Sequence, residues 1–141
     1  MKLLVDTSVW SLALRRDEPS THATVTFLTQ ALWHGDSVFT TGLILQELLQ
    51  GFHGPKTRDE ILKRFDALPL IIPQQEDHIA AADLRNECRR RGVQVDTIDA
   101  LLAQLCIRHQ LTMLTTDEDF VSVARYAPLN LWRAPTPNTP P

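Results

Sequence analysis

Five short apolar runs recur along the chain, and segments with the apolar spacing of helices separate them. The runs cover residues 2–5, 37–40, 68–72, 111–115 and 129–132. The later helical patterns cover 56–67, 76–91, 97–109 and 118–125. Strands that alternate with helices favour a parallel sheet with helices on both faces. The sequence therefore predicts an α/β fold, a three-layer α/β/α sandwich around a central, mainly parallel sheet.

Small polar residues predict where the earlier helices begin. Thr7 or Ser8 is expected to cap a helix after the first run, and Ser20 a second helix. Thr41 is expected to cap a third helix, which Gly51 ends. These positions divide the first third of the chain into strand, two helices, strand and helix.

The length of 141 residues is typical of one domain with its own core. We expect residues 1–133 to form that domain and the Pro-rich stretch 134–141 to be a disordered tail. Pro69 and Pro73 flank the third run, which predicts an edge strand because proline cannot donate to a strand ladder.

Composition and charge exclude several classes of protein. No apolar stretch approaches the roughly 20 residues that cross a bilayer, and the first residues lack a signal-peptide core. We therefore expect a cytoplasmic protein with no membrane partner. The net charge of -3 argues against a passive electrostatic binder of nucleic acid. It leaves open a nuclease whose acidic residues are neutralised by a cation.

Four acidic residues occupy positions that this fold would bring to one end of the sheet. Asp6 and Asp117 follow the first and fourth runs, and ligands gather at the carboxyl ends of parallel strands. Asp99 lies in the first turn of a helix that Asp96 can cap, where free N–H groups favour an ionised carboxylate. Glu47 lies among leucines and needs a partner if it is buried.

Together these carboxylates predict a site for Mg²⁺ or Mn²⁺, hard cations that prefer oxygen ligands. Such an ion can activate water and stabilise the charge that builds up on a phosphoryl group. Each acid also has a simpler explanation as a cap, a turn residue or a half-exposed side chain. The occurrence of all four acids in this order is stronger evidence for a metal site than any one of them alone.

Four stretches carry these acids: LLVDTSVW with Asp6, LILQELLQG with Glu47, RRRGVQVDTIDALLAQLC with Asp99, and MLTTDEDF with Asp117. Their order and spacing resemble the PIN-domain family, and within it the VapC-type ribonuclease toxins of type II toxin–antitoxin systems. The resemblance runs from residue 1 to about residue 132, nearly the whole chain.

The resemblance implies roles for individual residues. Asp6, Glu47, Asp99 and Asp117 would be the catalytic residues and metal ligands, and Asp119 a further metal ligand. Thr7 would orient the carboxylate of the first acid, and Thr115 or Thr116 would orient that of Asp117. Asp96 stays open as an alternative to Asp99.

The resemblance also implies an activity and partners. The protein would be a toxin that cleaves cellular RNA, tRNA or ribosomal RNA, with Mg²⁺ or Mn²⁺, leaving a 5′-phosphate and a 3′-hydroxyl. It would form a homodimer and be neutralised by a VapB-type antitoxin. Arg89, Arg90 and Arg91 are candidates for RNA contact, although cations at a helix C-terminus are also favoured by its dipole.

The same residues bear on three other possible functions. A PIN-like domain could bind RNA or protein without toxin activity. A phosphatase of the haloacid-dehalogenase type needs a second Asp two residues after the first, and position 8 is Ser. A receiver domain needs a cluster of acids at the N-terminus and a Lys after a late strand, neither of which is evident. The RNA target and the number of metal ions stay open.

Overall fold

Five strands form one parallel sheet in the computed structural model of the protein, which describes residues 1–15 and 20–135. The strands are β1 (Lys2–Val5), β2 (Ser37–Thr41), β3 (Leu70–Ile71), β4 (Thr112–Leu114) and β5 (Asn130–Leu131). Their order is β3-β2-β1-β4-β5, and every neighbouring pair is parallel. The predicted parallel α/β fold is confirmed, and the proline-flanked β3 lies at an edge.

Seven helices lie within the described residues. They are α1 (Thr7–Ala13), α2 (Ala23–Trp33), α3 (Gly42–Gly51), α4 (Pro55–Asp66), α5 (Gln75–Arg90), α6 (Thr97–His109) and α7 (Asp119–Ala124). None of them is long and apolar enough to span a bilayer. The predicted disordered tail lies outside the described residues from position 136 onward.

Two of the predicted helix caps differ from the structure. The N-cap position of α1 is Asp6 rather than Thr7 or Ser8. The N-cap of α2 is His22, whose Nδ1 accepts a hydrogen bond from the Thr24 N–H at 3.2 Å. Ser20 instead accepts from the His22 N–H at 3.2 Å, in the segment that precedes the helix.

The path of the chain places helices on both faces of the sheet. It runs from β1 through β2 to β3, then returns across the sheet to β4 and β5. Crossovers between parallel strands are right-handed, so the two directions of travel put their helices on opposite faces. The first four helices lie on one face and α5 to α7 on the other. Contacts of α1 with α2 and α3, and of α6 with α5 and α7, agree with this division.

The central strand β1 is part of the core and ends next to the candidate site. Its residues Leu3, Leu4 and Val5 are completely buried, as expected for a strand covered on both faces. The strand order reverses between β1 and β4, which is where ligands gather in open parallel sheets. Asp6 follows β1 directly, so a rigid, buried strand fixes the backbone of this acid.

An ion pair fixes α5 against α6 on the second face. Asp77, only 1% exposed, binds the guanidinium of Arg108 and accepts a hydrogen bond from the Gln74 N–H at 2.8 Å. The two helices are therefore tied where α5 begins and α6 ends.

Candidate metal centre

Three carboxylates converge beyond the carboxyl ends of the central strands. Asp99, Asp117 and Asp119 each place an oxygen within 4.8 Å of the other two. Asp99 comes from the first turn of α6, Asp117 from the loop after β4, and Asp119 from the first position of α7. The Asp119 N–H donates to Asp117 Oδ1 at 2.9 Å, which holds that loop in place. These oxygens form a donor set that suits a hard divalent cation.

Asp6 is held beside this trio by two hydroxyl groups. Its side chain is 6% exposed, and Oδ2 accepts from Ser8 Oγ at 2.9 Å and from Thr115 Oγ1 at 2.8 Å. Both donors use the same oxygen. Within the described part of the chain, Oδ1 accepts no hydrogen bond and is left for another ligand.

The same hydroxyl groups join the ends of β1 and β4. Thr115 Oγ1 accepts from the Asp117 N–H at 3.0 Å, and Ser8 Oγ accepts from the Thr116 N–H at 3.1 Å. Movement of either strand end would therefore move both Asp6 and Asp117. The sequence predicted no role at the site for Ser8 beyond that of a possible helix cap. The sequence pattern that could have indicated this role is a hydroxyl residue two positions after an Asp that directly follows a strand.

The expected partners of two threonines differ from the structure. Thr7 donates to Glu47 Oε1 at 3.0 Å and not to Asp6, because the first turn of α1 faces α3. Thr115 donates to the carboxylate of Asp6, whereas its bond to Asp117 involves the backbone N–H. Thr7 thus gives the half-buried Glu47 the partner that its place among leucines required.

The pKa of Asp99 reports how closely the acids are grouped. This pKa is raised from 3.8 to about 7, most strongly by burial and then by the negative charges of Asp96, Asp6, Asp117 and Glu47, in that order. The other three acids predicted from the sequence therefore all act on Asp99, although Asp6 and Glu47 lie outside the closest trio. A cation would relieve this repulsion.

Asp96 has another task in the structure. Its Oδ1 accepts from the Asp99 N–H at 2.7 Å and so caps α6. The cap fixes the backbone of Asp99, the member of the pair that reaches the trio. In this geometry Asp99 lies in the trio of carboxylates and Asp96 acts as a helix cap, which favours Asp99 over Asp96 as the metal ligand.

The three consecutive arginines do not form one basic surface. Arg90 donates through Nη2 to Glu87 Oε2 at 2.6 Å, and Arg91 through Nε to Glu87 Oε1 at 3.0 Å. The Arg91 guanidinium also lies 5.2 Å from the ring centroid of Tyr126. Arg89 forms no ion pair with the described residues. The three arginines, which were equivalent candidates for RNA contact in the sequence, therefore differ in whether a carboxylate neutralises them.

Two clefts flank the acidic centre. A groove of about 580 Å³ runs beside the C-terminal half of α5, and Asp96 and Asp119 are in its lining. A smaller cleft of about 170 Å³ lies on another side, and its lining includes Thr116 and Asp117. The centre is thus open to a ligand longer than a single ion.

The fold and this centre define a parallel α/β domain with an acidic site where the strand order reverses. The family model of the PIN domain matches residues 3–126, so this chain belongs to the PIN-domain family. The family predicted from the four acidic stretches is confirmed. No curated protein matches the chain by sequence.

Solved structures with similar folds agree with this assignment. VapBC2 from Rickettsia felis, bound to a DNA fragment from its promoter, is 18% identical with a TM-score of 0.74 over 94% of this chain and 98% of that chain. VapBC-1 from nontypeable Haemophilus influenzae is 12% identical with a TM-score of 0.72, covering 94% and 97%. VapC20 from Mycobacterium tuberculosis, a sarcin-ricin loop cleaving toxin, is 17% identical with a TM-score of 0.64, covering 86% and 94%. At these identities the likeness concerns the fold.

Proposed function

We propose that this PIN domain is a metal-dependent endoribonuclease and the toxin of a type II toxin–antitoxin pair. The observation that carries the proposal is the trio of Asp99, Asp117 and Asp119 within 4.8 Å, at the carboxyl end of a PIN-type sheet. A purely structural cluster of acids would lower stability through repulsion without compensation. A site that binds a cation gives the cluster a function.

The acidic side chains fit Mg²⁺ or Mn²⁺. The ligands would come from Asp6, Glu47, Asp99, Asp117 and Asp119, all oxygen donors. When bound, such an ion would supply a water nucleophile at neutral pH and stabilise the charge on the phosphoryl group. Side chains of the protein would meet the remaining catalytic requirements.

Orientation of the carboxylates is the first of these requirements. Ser8 and Thr115 hold Asp6 Oδ2 and leave Oδ1 free, and Thr7 holds Glu47 Oε1. Partners that orient a ligand in this way strengthen binding and keep the ligand in one rotamer. The pKa of Asp99 is about 7, so its carboxyl group holds a proton in mildly acidic solution and would have to release it for a cation to bind.

The substrate and partners follow from the toxin assignment. We propose tRNA or a structured loop of ribosomal RNA as the substrate, with products that carry a 5′-phosphate and a 3′-hydroxyl. The toxin would act in the cytoplasm as a homodimer and be neutralised by a VapB-type antitoxin. Three of the structurally similar structures are VapBC or FitAB proteins bound to DNA, which supports such a pair. Light scattering during gel filtration measures the oligomeric state.

A cleavage assay tests the nuclease. Purified protein should cut total cellular RNA with Mg²⁺ or Mn²⁺ and stop when EDTA is added. Asp6→Ala and Asp99→Asn should reduce cleavage to background while circular dichroism shows an unchanged fold. Asp59→Asn on α4 is the matched control, since it removes an exposed acid from a helix that contributes nothing to the centre. Unchanged cleavage by both site variants would refute the assignment.

A growth assay tests the toxin role separately. Expression of the wild-type chain should arrest growth, and co-expression of a small neighbouring open reading frame should restore it. Asp99→Asn should be harmless when expressed at the same level. An RNA-cleaving protein that neither arrests growth nor responds to a neighbouring gene product would be a PIN nuclease outside toxin–antitoxin systems.

A further inference from the structure

The groove beside α5 combines two arginines with two acids of the centre. Arg85 and Arg89 lie one helical turn apart, and both line the groove of about 580 Å³ that Asp96 and Asp119 also line. Asp119 belongs to the closest trio of carboxylates, so the groove opens directly onto the candidate metal site. Positive charge is therefore placed beside a centre that is otherwise strongly negative.

The frame of this groove is fixed. Arg85 Nε donates to the Val95 carbonyl at 2.8 Å, which ties α5 to the segment before α6. The Val93 N–H donates to the Cys88 carbonyl at 2.8 Å, and Gly92 takes a φ of 80° that lets the chain turn there. Val95 is buried beneath the groove. The arginines thus project from a helix whose end is held by backbone bonds.

Charge pairing distinguishes Arg89 from its neighbours. Arg90 and Arg91 are both neutralised by Glu87, whereas Arg89 makes one hydrogen bond, from Nη2 to Asn86 Oδ1 at 2.9 Å. No carboxylate among the described residues pairs with Arg89. Its remaining N–H donors are available to an anion, and a guanidinium matches the geometry of a phosphate.

We propose that Arg89, supported by Arg85, binds a backbone phosphate of the RNA next to the one that is cut. This inference rests on the proposed function and adds the path of the substrate. The chain carries a net charge of -3 and has no general attraction for RNA, so local cations must hold the strand against the negative centre. Phosphate contacts of this kind set the register of the strand without reading its sequence.

Kinetics of the full chain give the first test, with total RNA and then a mapped substrate. Arg89→Ala should raise KM about tenfold and leave kcat nearly unchanged, because the contact is made before and during the reaction alike. Arg89→Lys should recover part of the loss, since it keeps the charge. Arg64→Ala on α4 is the matched control, because it removes an exposed arginine outside the groove.

Binding without cleavage gives the second test. In an Asp99→Asn background, anisotropy of a fluorescein-labelled single-stranded RNA should show about tenfold weaker binding for Arg89→Ala, similar for RNAs of different sequence. The dependence of log K on log salt concentration should fall by about 0.7, the value for one contact to a single strand. Arg90→Ala should bind as tightly as Arg64→Ala, because Arg90 is already paired with Glu87.

Outcomes of these tests separate the two proposals. If wild-type protein cuts RNA but Arg89→Ala matches Arg64→Ala in KM, affinity and salt dependence, the groove is not the path of the substrate. Equal losses for Arg89→Ala and Arg90→Ala would also overturn the proposal in favour of a diffuse basic surface. If no RNA is cut but Arg89→Ala still weakens RNA binding, the groove contact stands and the nuclease assignment fails.

Discussion

The carboxyl group of Asp99 couples the stability of this domain to pH. Its pKa is raised from 3.8 to about 7 in the folded protein, first by burial and then by the neighbouring carboxylates. Between these two values the folded state keeps a proton that the unfolded state has released. The contribution to stability is therefore complete below about pH 4 and is lost as the pH rises through about 7.

The size of this effect follows from the shift in pKa and the exposure of the group. A shift from 3.8 to about 7 corresponds to at most about 4 kcal/mol, since a factor of ten in proton affinity is about 1.4 kcal/mol. Asp99 is only partly buried, and screening by solvent reduces the expected loss to about 1–2 kcal/mol. For a domain of this size that loss lowers Tm by about 3–6 °C.

Thermal unfolding with EDTA at pH 5 and pH 8 measures the effect. Other carboxylates titrate in both states, so the informative quantity is the difference between wild type and Asp99→Asn. The Tm of the wild type should fall by about 2–4 °C more than that of Asp99→Asn between the two pH values, because about two thirds of the interval between the two pKa values lies above pH 5. Asp59→Asn should behave as the wild type does. Mn²⁺ should then raise the wild-type Tm more at pH 8 than at pH 5, because protons compete with the cation.

Two results would refute this reasoning. Equal falls in Tm for the wild type and Asp99→Asn would mean that the pKa of Asp99 is not raised in the folded protein. A Tm that Mn²⁺ leaves unchanged at pH 8 would mean that the repulsion among the acids is not relieved by a cation. The second result would also remove the main support for the metal site.

Further predictions concern hydroxyl groups and the ion pair on the second face. Thr115→Val and Ser8→Ala should each lower the rate of RNA cleavage by about 10–100-fold with an unchanged circular dichroism spectrum, since each removes a donor to Asp6 Oδ2; rates within twofold of wild type would show that these hydroxyls do not position the carboxylate. Arg108→Ala should lower the free energy of unfolding in urea by about 2–3 kcal/mol, because it leaves Asp77 buried without its cation. A loss below about 0.5 kcal/mol would place that ion pair among ordinary surface pairs.

Local sequence patterns were sufficient for most of the elements. The runs at 2–5 and 37–40 match β1 and β2 closely, because buried strands of a parallel sheet are continuous apolar stretches. Thr41 caps α3 by accepting from the Ile44 N–H at 3.3 Å, as its place before a helical pattern predicted. Asp96 caps α6 in the same way. These features depend on residues within a few positions of one another.

Contacts between distant parts of the chain could not be predicted in this way. The Thr7 hydroxyl binds Glu47, 40 positions away, and the Thr115 hydroxyl binds Asp6, 109 positions away. Which hydroxyl meets which carboxylate depends on the angles at which helices leave the sheet. Likewise, Arg89 and Arg90 are adjacent in sequence, but Glu87 forms an ion pair with Arg90, whereas Arg89 makes a hydrogen bond to the neutral Asn86 side chain.

Asp6 and Thr41 occupy comparable positions in the fold, but only one of them uses its side chain to cap a helix. Each residue is the N-cap of a helix that begins at a strand end, and a polar side chain there commonly stabilises the helix by about 1 kcal/mol. Thr41 makes this cap bond, but the carboxylate of Asp6 makes none. It is held instead by Ser8 and Thr115, although α1 has only seven residues and would gain from a cap. The absence of a stabilising cap bond where the residue type would favour one is expected at functional sites. The contrast between the two caps therefore supports a carboxylate oriented for a ligand, independently of the family to which the chain belongs.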